Sequence, residues 1–301
     1  MKNYLSEINQ SFPIRRKEEE KKKFRDYACT ELGIERVCVE KIDSHNNIII
    51  GDINKSRIIF TAHYDTPAVS LVPNFMFPAN KISGTLIHLI YPILLSIVSL
   101  FVAFLIGDAL GFQNSEWVII YLALYYCAYF IPMMIPNKHN VNDNTSGVAT
   151  VMSIARMVNN DKVAFILFDN EEKGLLGSKT FNKKHSEVLK DKLIVNFDCV
   201  GNGDQIIFAY KENAEKLYEY DLLCKSLIPS GKFDVHYLPA KKCLGNSDYK
   251  SFINGVGVMA CKRGKLFKFY TDRIHTSKDT VADEENILFL AERMICLLEK
   301  L

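Results

Sequence analysis

The chain has 301 residues, room for one large domain or two modest ones, and its 37 basic side chains nearly balance 35 acidic ones. That balance gives nucleic-acid binding no support, and no nucleic-acid partner is expected. Mean hydropathy is zero, high for a soluble enzyme, which directs attention to a single segment that carries the excess.

The first twenty-five residues, Met1 to Arg25, are charged and contain no apolar run of signal-peptide length, so secretion is not expected. Eight cysteines are scattered without paired CxxC spacing, several inside apolar runs, and are read as reduced thiols. Residues 17–32 (KEEEKKKFRDYACTEL) place Phe24, Cys29 and Leu32 at helical spacing among charges, predicting a surface helix with a narrow buried stripe. VCVEKI, NNIIIG and SRIIFTA then read as three strands bounded by Asp, Asn, Gly or Ser. Further on, NTSGVATVMSIARMV has helical periodicity, and VAFILFD, LIVNFD, QIIFAY and GVGVMACK are strand candidates. Helix candidates at 174–190 and 212–227 separate or follow them, and EENILFLAERMICLLEK closes the chain as an amphipathic helix. Such alternation predicts an α/β fold with a doubly wound, mostly parallel sheet flanked by helices.

One segment stands apart. Ile82 to Ile106 carries no formal charge, and as a helix it would span about 37 Å against roughly 30 Å of bilayer hydrocarbon. The link GDALGFQNSE, charged only at Asp108 and Glu116, leads to a second uncharged stretch from Trp117 to Ile135, about 28 Å as a helix. Residues 82–136 therefore read as a transmembrane helical hairpin inserted into a discontinuous domain made of 1–81 and 137–301. A hydrophobic hairpin buried in an interface is the alternative. Lys81 and Lys138 flank its outer ends, which by the positive-inside rule places both flanks in the cytoplasm, the chain being a two-span protein of the cell membrane.

Carboxylates and histidines recur where the apolar strands stop. His63 and Asp65 end IIFTAHYD, Glu171 and Glu172 follow VAFILFDN, and Asp198 ends LIVNFD. Ligand sites of parallel α/β sheets form beyond the carboxyl ends of the strands, so these groups converge on one crevice. Asp143 in VNDNTSG, just before a helix, and His275 in RIHTSKDT complete the set. So many converging carboxylates require cations. Imidazole and carboxylate donors suit zinc, and two dications bridged by Asp143 against the three carboxylates Asp143, Glu172 and Asp198 leave one positive charge for a hydroxide to cancel. A structural zinc site would more often draw on paired cysteines.

The ordered motifs HYD, DNTSG, NEE, NFD and IHTSKDT, with NSDYKSF at 246–252, resemble those of metallopeptidase family 28, the co-catalytic di-zinc aminopeptidases related to bacterial leucyl aminopeptidases. The resemblance implies a zinc exopeptidase-like fold in which His63 and Asp198 hold one Zn2+, Glu172 and His275 hold the other, and Asp143 bridges the two. It further implies that Glu171 is the general base acting on a metal-bound water, that Asp65 orients His63, and that the substrates are peptides cut at the N-terminal bond. A zinc-dependent carboxypeptidase, dipeptidase or amidohydrolase of the same clan, and a non-catalytic scaffold on this fold, are the alternatives. The scaffold is disfavoured because neither a ligand type nor the base is missing. Two departures stand out. Family members often supply a tyrosine hydroxyl to the oxyanion where this chain has Ile274 and Leu244, with Tyr249 and Tyr270 the nearby substitutes, each also readable as a packed aromatic. His63 and Asp143 are separated by the apolar insert, so the chain must return to the side of the membrane it left, which an even number of spans permits.

Overall fold

The apolar runs form nine strands: β1 (Val37–Ile42), β2 (His45–Ile50), β3 (Ile58–His63), β4 (Val163–Phe168), β5 (Leu193–Phe197), β6 (Gln205–Tyr210), β7 (Asp234–Pro239), β8 (Gly255–Arg263) and β9 (Phe269–Tyr270). Eight helices accompany them: α1 (Tyr4–Ser11), α2 (Glu18–Leu32), α3 (Lys81–Leu110), α4 (Asn114–Met134), α5 (Gly147–Met157), α6 (Leu176–Leu189), α7 (Tyr218–Ser226) and α8 (Glu284–Leu298). These assignments come from a computed structural model that describes residues 2–70, 75, 76, 78–112, 114–243, 245–265 and 268–301.

The strands form one sheet in the order β1-β2-β4-β3-β5-β8-β6-β7, with β9 paired to β8. Its centre, β4-β3-β5-β8, is parallel. The first three of these strands are buried at every position, as expected where helices cover both faces. Side chains alternate between the two layers. Ile58, Phe60 and Ala62 face the layer formed by α1, α2, α5, α7 and α8, whereas Ile59 packs with Ile166, Phe168 and Phe181 under α6. Antiparallel pairs flank this centre: β1 and β2 form a tight hairpin through Asp43, whose φ of 52° sets the turn, β2 runs against β4, and β6 runs against β8, while the edge strand β7 lies parallel to β6.

Three elements have no counterpart in the sequence reading: α1, β7 and the two-residue β9. α1 is short and polar, but Asn3 caps it by accepting the Ser6 amide at 2.9 Å, and Tyr4, Leu5 and Ile8 are buried. β7 (DVHYLP) lies at the sheet edge, where mixed polarity and a terminal proline are tolerated. The helix expected at 212–227 is confined to α7, preceded by a single tight turn at Ala214–Lys216.

The insert forms two long helices that pack on each other. Trp117 stands edge-on to Phe104 with ring centroids 4.8 Å apart, and Gly107 leaves room for it, since a Cβ there would lie 2.4 Å from Trp117 Nε1. Ser96 Oγ and Tyr121 OH meet at 2.8 Å. Leu89–Leu110 and Ser115–Met134 are long and apolar enough to cross a membrane. Most of the exposed large hydrophobic side chains among the described residues fall between Leu86 and Ile135, a concentration of apolar surface that a soluble monomer does not normally present. A short stem joins the hairpin to the sheet domain: Ala68 pairs with Pro136, the Val69 amide donates to Ile135 O at 2.9 Å, and the Asn137 amide donates to Pro67 O at 3.0 Å.

Candidate metal centre

All seven residues singled out in the sequence lie at or beside the carboxyl ends of β3, β4 and β5, and six of them form one cluster of donors. Donor atoms of His63, Asp143 and Asp198 lie within 4.8 Å of one another, as do those of Asp143, Glu172 and His275, and those of His63, Glu171 and Glu172. Asp143 is common to the first two sets. Its Oδ1 is 3.4 Å from His63 Nε2, and its Oδ2 is 3.0 Å from His275 Nε2. The Asp198 carboxylate is 3.8 Å from His63 Nε2, and the Glu172 carboxylate is 3.6 Å from His275 Nε2. Each half of the cluster thus offers one imidazole, one carboxylate of its own and one oxygen of Asp143.

Asp65 acts mainly through its main chain on His63 and through its side chain on the glutamates. His63 Nδ1 donates to Asp65 O at 3.1 Å, since a carbonyl only accepts, and this turns Nε2 toward Asp143 and Asp198. The Asp65 carboxylate is 3.6 Å from His63 Nδ1, while its two oxygens accept the amides of Glu171 at 3.0 Å and Glu172 at 3.2 Å.

The DNTSG and DT segments fix the position of Asp143. Asn144 Nδ2 donates to Phe197 O at 3.0 Å and its Oδ1 accepts the Cys199 amide at 3.2 Å, so this side chain ties Asp143 to the two residues flanking Asp198. Gly147 is required here because a Cβ would lie 2.3 Å from Phe197 O. From the other side, the buried Asp279 accepts the amides of Asn142 and Asp143, each at 3.0 Å. His275 itself has φ 61°, and Asn170 and Cys199, beside Glu171 and Asp198, also lie in the left-handed region. A non-glycine residue there is a local strain that surrounding structure must hold, and such residues cluster at functional sites.

Sequence reasoning missed two supports of this kind. Asp279 stands within IHTSKDT but carries no signal of its own beyond being an acid four residues after a histidine. Arg15 was counted with the charged N-terminal region, yet it is fully buried: its Nε donates to Tyr64 O at 2.6 Å, Nη1 to Phe12 O at 2.6 Å and Nη2 to Thr145 Oγ1 at 3.0 Å. Burial lowers its pKa to about 10, with Asp65 acting in the opposite sense. Arg15 therefore links the segment after β3 to the segment before α5, the two places where the insert leaves and returns.

Electrostatics agree with a cation site. Burial, reinforced by Asp143 and Asp65 and opposed by His275 and His63, pushes Glu172 up to about 8. Glu171 is raised well above the carboxylate range by burial and by Glu172, Asp198 and Asp248, with His63 opposing. Burial disfavours a charged His275, yet Glu172 and Asp143 outweigh it and raise this imidazole to about 10. These acids and imidazoles compete for protons that divalent cations would displace. Glu172 Oε1 is buried without a hydrogen-bond partner, an oxygen left over in a polar cluster. Nitrogen and oxygen donors in this number, with the thiol of Cys199 protonated by burial, suit zinc, and the residues that would hold it are His63, Asp143, Glu172, Asp198 and His275.

The cluster floors a cavity of about 650 Å³ whose walls include Met76, Pro78, Ile207, Ala209, Val258 and Ile274. Tyr249 also lines it, its buried ring packed so closely on Gly257 that a Cβ there would lie 2.4 Å from Tyr249 Cδ1. Tyr270 is not among the lining residues and sits under the Lys262 ammonium, 5.9 Å from the ring centroid. Leu244 lies outside the described residues. Ser247 is held on the wall by Asn196 Nδ2 at 2.7 Å.

Comparison with known proteins adds a family and a fold. The sequence profile of Peptidase family M28 matches residues 132–294. Leucine aminopeptidase 2 of Trichophyton rubrum is 28% identical over 191 residues, a match covering 52% of this chain and 37% of that protein, so the chain spans well under half the length of this relative. Among solved structures, glutaminyl cyclase of Porphyromonas gingivalis superposes with a TM-score of 0.59 at 14% identity, covering 99% of this chain and 96% of that one. A Zn-dependent exopeptidase from Parabacteroides distasonis does so with a TM-score of 0.57 at 15% identity, covering 98% and 94%.

Proposed function

The chain belongs to Peptidase family M28, and from that premise we propose that it is a membrane-anchored zinc exopeptidase, most specifically a di-zinc aminopeptidase that removes N-terminal residues from peptides. The observation that carries the reading is the division of Asp143, one oxygen toward His63 and the other toward His275. Single-site alternatives give no reason for a carboxylate to be shared in this way. The hairpin anchors the enzyme, with the catalytic portion in the cytoplasm, the side on which Lys81 and Lys138 flank the spans.

When bound, zinc supplies Lewis-acid polarisation of the scissile carbonyl and acidifies the attacking water. The protein's own groups do the rest. Glu171, raised by burial and by neighbouring acids, takes the proton of the attacking water and delivers it to the leaving amine. Asp65 fixes the main chain of the adjacent Glu171 and Glu172 through two hydrogen bonds, so that one side chain can serve as ligand while its neighbour stays free as base. His63, held by Asp65 O, keeps Nε2 available as a donor.

The cavity supports cleavage at an amino terminus over cleavage at a carboxyl terminus. A C-terminal carboxylate calls for a guanidinium or a free ammonium. No arginine is found among the described lining residues, and both lysines there are engaged, Lys241 with Glu212 at 2.7 Å and Lys250 with Gly245 O.

The test is hydrolysis of amino-acyl amides and short peptides by zinc-loaded full-length protein in detergent, with Glu171→Gln beside it. Release of the N-terminal residue, reduced in Glu171→Gln by about two to four orders of magnitude, is the expected result. Hydrolysis of none of the panel, or equal rates for the two proteins, overturns it.

A further inference from the structure

The segment that leads into the hairpin also forms part of the cavity wall. Met76 and Pro78 line the cavity, and α3 begins only a few residues later, at Lys81. Met76 is bonded in both directions to Thr271, amide to carbonyl, at 2.9 Å each way, in the segment that leads to His275. The Ser70 amide donates to His275 O at 2.6 Å, and Asn137 Nδ2 donates to Thr276 O at 3.0 Å. On the far side, Arg16 Nη2 donates to Met133 O at 2.7 Å, placing a guanidinium on the last turn of α4, where both the helix dipole and an anionic headgroup layer favour it.

These bonds limit how far the centre can be from the end of the spans. Asp65 is three residues from Ala68, Ala68 is paired with Pro136, and Met134, the end of the second span, is two residues from Pro136. At about 3.4 Å per residue and about 5 Å between paired strands, the whole path is at most about 22 Å. An extended peptide crosses that distance in about seven residues.

We propose that the cavity opens at the bilayer surface and that its substrates are peptides anchored in the same membrane, which it trims from the free N-terminus to within about seven residues of the bilayer. This rests on the exopeptidase and membrane-anchor readings above. The apolar wall made by Met76 and Pro78, a few residues before the first long helix, suits a peptide whose next residues lie along the headgroup region. A hydrophobic hairpin paired with a second copy in solution would instead leave the cavity indifferent to lipid.

The experiment uses full-length protein reconstituted in vesicles of phosphatidylcholine and phosphatidylglycerol. Three peptides with one N-terminal sequence are compared: one free, one followed by seven residues and a C-terminal transmembrane anchor, and one with thirty residues before the same anchor. The proposal expects both anchored peptides to be cut with kcat/KM at least tenfold above the free peptide, the seven-residue spacer as well as the thirty-residue one. It also expects mass spectrometry to show the long peptide trimmed to about seven residues from its anchor. Cleavage of the long-spacer peptide with resistance of the short one shows a cavity facing away from the bilayer and overturns the proposal, as do equal rates for free and anchored peptides. Failure to cut any peptide, the free one in detergent included, overturns the exopeptidase reading itself. A protein that stays in buffer as a dimer and does not enter vesicles overturns the membrane reading.

Discussion

Asp65 Oδ1 accepts the main-chain N–H of Glu171 at 3.0 Å across 106 positions of sequence. The hydrogen bond joins the strand end that carries one proposed histidine ligand to the turn that carries the proposed base, and Oδ2 does the same for Glu172. Removing it frees that turn without touching a proposed ligand. Asp65→Ala is expected to weaken zinc binding and to lower kcat/KM by about 10- to 100-fold, with the far-ultraviolet circular dichroism unchanged. Competition against a zinc chelator and steady-state kinetics measure the two effects. Wild-type affinity in the variant would show that Asp65 has no part in setting the site.

Asp279 offers a stability test on the other side of the bridge. Its two oxygens satisfy the amides of Asn142 and Asp143 in a buried setting. Asp279→Ala leaves both donors unpaired, at a cost of about 1–3 kcal/mol each. The expected result is a loss of about 2–5 kcal/mol in denaturant unfolding of the metal-free protein and zinc affinity lowered at least tenfold. Asp279→Asn, which keeps one acceptor, should fall between wild type and Asp279→Ala.

A pH dependence follows from Asp248. This carboxyl is fully buried, neither oxygen has a hydrogen-bond partner, and the Ser178 hydroxyl that could serve it is engaged with Ser251 at 2.8 Å. Burial first, then Asp65 and Asp198, raise its pKa to about 7, against the pull of His63. An acid raised in the fold binds its proton more tightly folded than unfolded. Stability is therefore highest below its ordinary value of 3.8 and falls as pH climbs from there to about 7. Asp248→Asn removes this loss. The variant should match wild type near pH 4 and exceed it by about 2–4 kcal/mol at pH 8 in metal-free unfolding experiments. A stability difference independent of pH would show that Asp248 does not titrate in this way.

The α3–α4 hairpin makes a cellular prediction. From its exposed Leu, Ile, Val and Phe side chains and its two helices long and apolar enough to cross a membrane, the proposed anchor predicts that the protein sediments with membranes and remains there through alkaline carbonate extraction. Release into the soluble fraction as an oligomer would point to a protein–protein role for the same surface.

How much of this was legible in the sequence differs by element. The central strands could be read directly because strands buried on both faces are continuous apolar runs, and β3, β4 and β5 are of that kind. The proposed ligands could be read because each ends such a run or sits in a polar motif beyond it. β7, exposed at the edge, and α1, held by a cap and three buried residues, gave no periodic signal long enough to read. The supports of the site were hidden for a different reason. Arg15 and Asp279 act on backbone groups far away in sequence, and nothing in a charged residue's neighbours reveals that the fold will bury it. The motif HYD predicts Asp65 as the partner of the His63 ring, but not that its carbonyl would lie nearer the ring than its carboxylate, nor that the carboxylate would also accept the amides of the two glutamates, a division that depends on the turn geometry at Glu171 and Glu172.

The central claim is that Asp143 sits between two zinc ions, and zinc content tests it most directly. Purified full-length protein, saturated with zinc and freed of excess metal, should carry two zinc per chain by elemental analysis, and Asp143→Ala should retain at most one. A wild-type value of one or of none, under conditions in which the protein is folded, contradicts the bridged site.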